Sequence, residues 1–262
     1  TDLTAMGGAQ YVHTFDKCFF MPSDLTAGLE YNRDRLKDNM WGYNRHTDQT
    51  VNIYSAFLQN EWKNDRWGIL IGGRLDKHNM VDNVIFSPRA NLRFNPTQNI
   101  NLRLSYSSGF RAPQAFDEDM HIENVGGTVA MIERAKDLKE EKSQSFSASA
   151  DMYHRFGAFQ TNLLIEGFYT RLTDVFVLGE PYDRGDGILV KTRSNGPGAK
   201  VMGLTLEGKV AYLSILQIQA GLTLQRSRYD EPHKWHDDAP AEKKIFRTPD
   251  TYGYFTATCT PI

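Results

Sequence analysis

The 262 residues are long enough for one large β domain or two ordinary ones. The near balance of 30 Lys+Arg against 32 Asp+Glu argues against a general nucleic-acid binder, which carries a basic excess. No run approaches the roughly 18 consecutive apolar residues of a membrane-spanning helix, but a barrel strand needs apolar residues only at alternate positions, so a polar average does not exclude a membrane.

Taken in chain order, the sequence alternates with period two. Weak alternation covers Leu25–Tyr31 and Trp67–Leu75. Ile100, Leu102, Leu104 and Tyr106 then alternate with Asn101, Arg103 and Ser105. Phe146, Ala148, Ala150 and Met152 do so with Ser147, Ser149 and Asp151. Leu163–Tyr169 and Leu204–Tyr212 repeat the pattern weakly. Leu216, Ile218, Ala220, Leu222 and Leu224 give an unbroken apolar file opposite Gln217, Gln219, Gly221 and Thr223. Such files are strands with one apolar and one wet face. A strand-like stretch from Phe159 to about Val177 exceeds the roughly 9–11 residues a bilayer requires, and its excess projects on one side. No helix is required anywhere; Glu133–Glu141, with charges spaced as on a solvated helix face, is compatible with a short helix as part of a long loop.

The connections carry a second regularity. Tight turns are expected at Lys63–Arg66, Asn95–Asn99, Arg155–Gly157 and near Leu213–Ser214. Long polar connections are expected at Asp34–Gln49, Lys77–Ser87, Gly109–Lys142, Gly179–Gly187 and Tyr229–Pro249. Short and long alternate, which places every long connection at one end of an antiparallel sheet. About eleven strands result. Trp62, Trp67, Phe94, Tyr153, Phe156, Phe159 and Tyr212 cluster beside the tight turns, as a membrane–water girdle would. The expected fold is all-β: a portion of an antiparallel transmembrane β-barrel, long loops on one end and tight turns on the other, in one domain over residues 1–262. A soluble β-sandwich leaves the alternation of connections unexplained.

Three segments carry a family likeness. Ser107-Ser108-Gly109-Phe110-Arg111-Ala112-Pro113 closes an alternating strand. Leu138-Lys139-Glu140-Glu141-Lys142-Ser143 leads into the next, and Asn195-Gly196-Pro197-Gly198 leads into Ala199–Glu207. In this order they resemble the barrel of TonB-dependent outer-membrane receptors, with Glu140 where that family usually has Pro and Glu207 one polar-face step late. The resemblance covers the chain from about Val51 onward. It implies about half of a barrel of roughly 22 strands, the plug and the terminal aromatic strand lying outside this chain. It also implies a receptor in the cell outer membrane for a scarce nutrient, an iron-siderophore or cobalamin-type ligand, energised by the TonB complex through that plug. The expected partners are outer-membrane lipid and a small-molecule or metal-chelate ligand, with no nucleic acid. A passive porin-like channel is the alternative.

No enzyme is expected, because Gly-x-Ser-x-Gly, His-Glu-x-x-His and P-loop patterns are missing from the sequence. No resident cofactor or metal is expected. Cys18 and Cys259 stand far apart, and spacing assigns them no pairing. Candidate ligand contacts come from the loops: Arg111 at a loop base, Tyr182 and Arg184 in their own loop, and His233, Trp235 and His236 in the last long connection. These side chains can stack on a planar ligand and hydrogen-bond it. Asp117, Glu118, Asp119 and His121 form an acidic loop run.

Overall fold

The computed structural model describes residues 2–41, 45–114, 123–125, 128–185, 187–234, 240–246 and 248–260. Two sheets account for the strands. The large one is an antiparallel meander of β1 (Asp2–Cys18), β2 (Met21–Met40), β3 (Arg45–Lys63), β4 (Trp67–His78), β5 (Ile85–Thr97) and β6 (Ile100–Arg111). It continues through β9 (Glu141–Phe156), β10 (Phe159–Thr173), β14 (Ala199–Tyr212) and β15 (Leu216–His233). β16 (Glu242–Lys244) and β17 (Thr251–Cys259) lie end to end along β15, so they share the eleventh strand position. The antiparallel order stands, and the wall has the eleven positions expected, but the strands of the second sheet come in addition.

Register turns the alternating files into two continuous faces. Ile218 lies beside Val210, Leu222 beside Leu206, Leu206 beside Ile165 and Ile165 beside Ala150. The file then passes through Leu102 and Leu104 to Leu92, Ile69 and Trp62. These apolar residues are open to their surroundings: Leu204 is 49% exposed, Leu104 56% and Leu29 66%. On β15 the opposite positions are half-buried at Gln219 and Gly221 and buried at Thr223 and Ser227, so the sheet curls toward its polar side. An exposed apolar surface of this extent needs a covering medium, whereas the polar side carries hydrogen bonds and ion pairs of its own. Thr205 meets Thr223 at 3.1 Å and Ser145 meets Thr170 at 2.9 Å. Arg74 joins Glu30 at 2.6 Å and Asp76 at 2.8 Å, while Ser55 donates to Asp76 at 2.6 Å.

Aromatic rings bound the apolar face at two heights. The lower belt pairs Phe20 with Trp62, Trp67 with Phe94 at 4.3 Å, and Phe156 with Phe159 and Tyr212. Tyr153 departs from the expected girdle. It lies on the polar face, donating to Asp151 at 2.7 Å, because the alternation of β9 puts Met152 and His154 on the other side. The upper belt was not foreseen: Tyr31 with Tyr54 at 4.9 Å, Phe86, Tyr106 with Phe146 at 4.8 Å, and Tyr169. Lys77, beside Tyr54, lifts its ammonium to the carbonyls of Val81 and Asp82 at 3.0 and 2.7 Å, away from the apolar band.

The tight turns are where expected, with one more at Phe19-Phe20. Asn64 closes the β3–β4 turn by accepting from the amides of Arg66 and Trp67 at 2.9 and 2.7 Å. The long-connection end differs in three places. Most of Asp34–Gln49 is strand, with Asp34 beside Val51 and Asn39 beside His46, because β2 and β3 continue pairing above the upper belt, where neither face carries a continuous apolar file. The predicted long strand breaks at Asp174, whose φ is 53°, and resumes as β11 (Phe176–Leu178). Glu133–Glu141 forms no helix. Glu133 and Arg134 end β8 (Thr128–Arg134), which runs parallel to β13 (Leu189–Asn195), and backbone pairing with that neighbour outcompetes local charge spacing. β7 (Glu123–Val125) and β12 (Tyr182–Asp183) complete a five-stranded second sheet of order β11-β13-β8-β7, with β12 on β13. Cys18 and Cys259 are free, on the first and last strand positions.

Candidate functional site: the loop base and mouth

The second sheet is assembled from two long connections, β6 to β9 and β10 to β14, and the Asn195 side chain is one of the ties between them. Asn195 accepts from the Lys139 amide at 2.7 Å and donates to the carbonyls of Lys139 at 3.0 Å and Asp174 at 2.9 Å. Glycines follow because space is missing. A Cβ on Gly196 would sit 2.7 Å from both methyls of Val177, and one on Gly198 would sit 2.6 Å from the Leu172 carbonyl oxygen. Over Gly198 the Arg171 guanidinium grips Asp230 in a two-pronged pair at 2.7 and 2.6 Å, which holds the Asp230 carboxyl below the usual carboxylate range.

The other two motif segments meet the same place. Arg111 is in register with Glu141 and stacks its guanidinium 5.7 Å from the Phe176 ring centre. Glu141 accepts from the Phe176 amide at 2.9 Å, and Arg134 donates to the Pro113 carbonyl at 3.0 Å. Ala112 is buried in a small core with Val81 and Ile85, and Phe110 packs against it. The three segments that carry the family likeness are therefore one fastening where the loops leave the wall.

Above it, His78 is fully buried, one residue beyond the Lys77–Tyr54 level and outside the apolar band. Its Nδ1 accepts from the Met80 amide at 3.0 Å, which leaves Nε2 to donate to Gln114 at 3.3 Å. Burial holds its pKa below the ordinary 6.5, against the raising effects of Gln114 and Asp76. Because the folded value is depressed, the neutral ring's contribution is complete above the unfolded value and is lost as pH falls through 6.5 toward the folded one. Deuterium exchange at the Met80 amide, corrected for intrinsic rate, should rise between about pH 7.5 and about pH 5, and His78→Asn should flatten that dependence. A pH-independent amide would refute the tautomer.

The sequence-predicted contacts sit on different elements. Arg111 belongs to the fastening. Tyr182 is 48% exposed on β12, and Arg184 follows it, 3.7 Å from Glu133. His233 ends β15 with its ring 5.8 Å from Tyr229, whose phenol pKa is raised by burial and then by the charge of Glu141. Trp235, His236 and the acidic run at Asp117, Glu118, Asp119 and His121 lie outside the described residues. Among the described residues no group of three or more His, Cys, Asp or Glu could hold a metal ion. Asn195 and Glu141 were read only as members of the family-like segments, without a role, and the Arg171–Asp230 pair was not singled out from the sequence. The signal for them was the Asn-Gly-Pro-Gly run, whose tight spacing marks a crossing point.

An antiparallel wall with an apolar band between two aromatic belts, a polar inner face and loops confined to one end is a portion of a transmembrane β-barrel. Residues 3–258 match the TonB dependent receptor-like, beta-barrel family, and the chain belongs to it. No curated protein matches. Among solved structures, the siderophore receptor PirA from Pseudomonas aeruginosa is 17% identical at a TM-score of 0.73, over 87% of this chain and 43% of that one. A mutant ferric enterobactin receptor (PfeA) from Pseudomonas aeruginosa is 20% identical at 0.63, over 86% and 35%. The FrpB iron transporter from Neisseria meningitidis is 15% identical at 0.60, over 92% and 37%. These identities establish a common fold, and the chain spans less than half the length of each of these proteins.

Proposed function

We propose that this chain is about half of the barrel of an outer-membrane TonB-dependent receptor that imports a metal-chelate nutrient, an iron-siderophore or cobalamin-type ligand. The observation that carries this reading is the fastened mouth: a polar inner wall crowned by a second sheet whose base is locked by Arg111, Glu141 and Asn195. Loops held on a rigid scaffold are where recognition resides. The names of the similar structures, a siderophore receptor, a ferric enterobactin receptor and an iron transporter, favour an iron chelate within this class. In this reading Tyr182, Arg184, His233, Trp235 and His236 meet the ligand, and Arg111 positions the loop that carries it. A plug elsewhere in the complete receptor engages the TonB complex.

The test is uptake of labelled ferric siderophore by cells carrying the complete receptor. Replacing His233, Trp235 and His236 together by Ala should lower uptake about tenfold, the loss of one or two good contacts, while the heat-modifiable gel mobility of the folded barrel stays unchanged. Unaltered uptake would remove these residues from the site. Uptake that persists without TonB would make the barrel a passive channel instead.

A further inference from the structure

The outer face changes character abruptly above the upper belt on β10, β14, β15 and β16. Tyr169, Met202 and Arg226 stand side by side in register at the belt. Two residues higher, about 5 Å along the barrel axis, Arg171, Lys200, Arg228 and Lys244 occupy neighbouring positions on four successive strands. Lys243 lines the same groove, of about 390 Å³, together with Lys200, Met202, Arg226, Arg228 and Asp230. Among the described residues six cations thus stand around two carboxylates. Asp230 is held by Arg171, and Asp250 by Lys244 at 2.9 Å and Arg228 at 3.5 Å. Arg226 is exposed, and neither it nor Lys200 hydrogen-bonds a described residue. Side chains of one sign on adjacent strands repel one another, and once Asp230 and Asp250 have taken Arg171, Arg228 and Lys244, Lys200 and Arg226 are left to attract a further anion.

The register also says where that anion comes from. Beneath the row and the Met202–Arg226 level are Leu204, Leu206, Leu222 and Leu224, all on the exposed apolar face. A molecule that fills the groove and follows the wall downward needs acyl chains below and phosphate above. Three strand spacings of about 4.8 Å make the row roughly 14 Å wide, wider than one phosphate. We infer that this patch binds an anionic lipid whose headgroup carries more than one phosphate, in the leaflet that meets the long-loop end. The inference rests on the transmembrane reading of the apolar band. Basic side chains at such a level hold phosphorylated headgroups by charge-assisted hydrogen bonds.

The experiment places the complete receptor in phosphatidylcholine nanodiscs containing a few per cent diphosphoryl lipid A and counts retained lipid by native mass spectrometry. Lys200→Ala with Arg226→Ala removes two cations that support no hydrogen bond of the fold, and retention should weaken about 30-fold. Equal retention by the variant overturns the proposal. So does displacement of the lipid by an equal concentration of inorganic phosphate, which would mark a site for free anion. A receptor that does not enter the nanodisc overturns the membrane reading and the lipid site with it, whereas insertion with unchanged retention overturns the lipid site alone.

Discussion

Arginine in place of Leu222 should destabilise the complete receptor by about 2–4 kcal/mol in a bilayer, while arginine in place of Gln219 should cost less than about 1 kcal/mol. Leu222 stands on the exposed apolar file between the two belts, with Leu206 beside it and no polar group to receive a guanidinium. Gln219 points to the other face, where it donates to the Tyr254 hydroxyl at 2.7 Å, and Arg is close to it in length and polarity. Thr223 is a poorer probe of that face, since it is buried against Thr205 and a large side chain would collide before its charge mattered. Urea unfolding of the receptor in lipid vesicles reads both values. Equal costs at the two positions would invalidate the assignment of faces.

Asn195→Ala should release the second sheet without disturbing the wall. It removes three hydrogen bonds, which at about 1 kcal/mol each amounts to roughly 2–3 kcal/mol of local stability. Exchange protection should fall in β8, β11 and β13 and persist in β9, β10 and β14. Gly198→Val should act at the same point through a different cause, by driving a side chain into the Leu172 carbonyl and the Arg171–Asp230 pair. Asn195→Asp keeps the acceptor for Lys139 but turns a carboxylate oxygen toward the Lys139 and Asp174 carbonyls in place of the donor, and should cost at least as much as Ala. Loss of protection throughout the wall would make the fastening part of the barrel core. Unchanged protection would show that β13 and β8 hold each other unaided.

Strand parity explains why the wall was legible and the crown was not. In Leu216–Leu224 the alternation itself assigns faces, and short turns oblige neighbouring files to pair, so the large sheet follows from local pattern. The second sheet rests instead on a parallel pairing of Thr128–Arg134 with Leu189–Asn195, segments far apart in sequence whose composition does not announce a partner. Asp34–Gln49 looked like a loop because above the bilayer a strand needs no apolar file, so paired and unpaired polar chain read alike. Of the site, Arg111 was legible as a loop-base residue, but its contact with Phe176 was not, since it depends on the break at Asp174. The upper belt was hidden because its rings lie mid-strand, next to continuing polar strand and away from any turn.

The spacing of the two belts sets a thickness. Trp62 to Tyr54 and Phe94 to Phe86 are eight residues apart, and Phe156 to Phe146 and Phe159 to Tyr169 are ten. At about 3.3 Å per residue and the usual barrel tilt, the band is roughly 19–27 Å tall. An average hydrocarbon layer is about 30 Å. A wall shorter than the layer around it compresses the adjacent lipid at a cost that grows with each ångström of mismatch, so this chain favours a thin membrane. In a thicker one it would carry a dimple of strained lipid around its perimeter, and two such dimples lower their cost by merging. Membrane thickness would thereby act as a force that gathers these barrels into clusters, with no contact between proteins required.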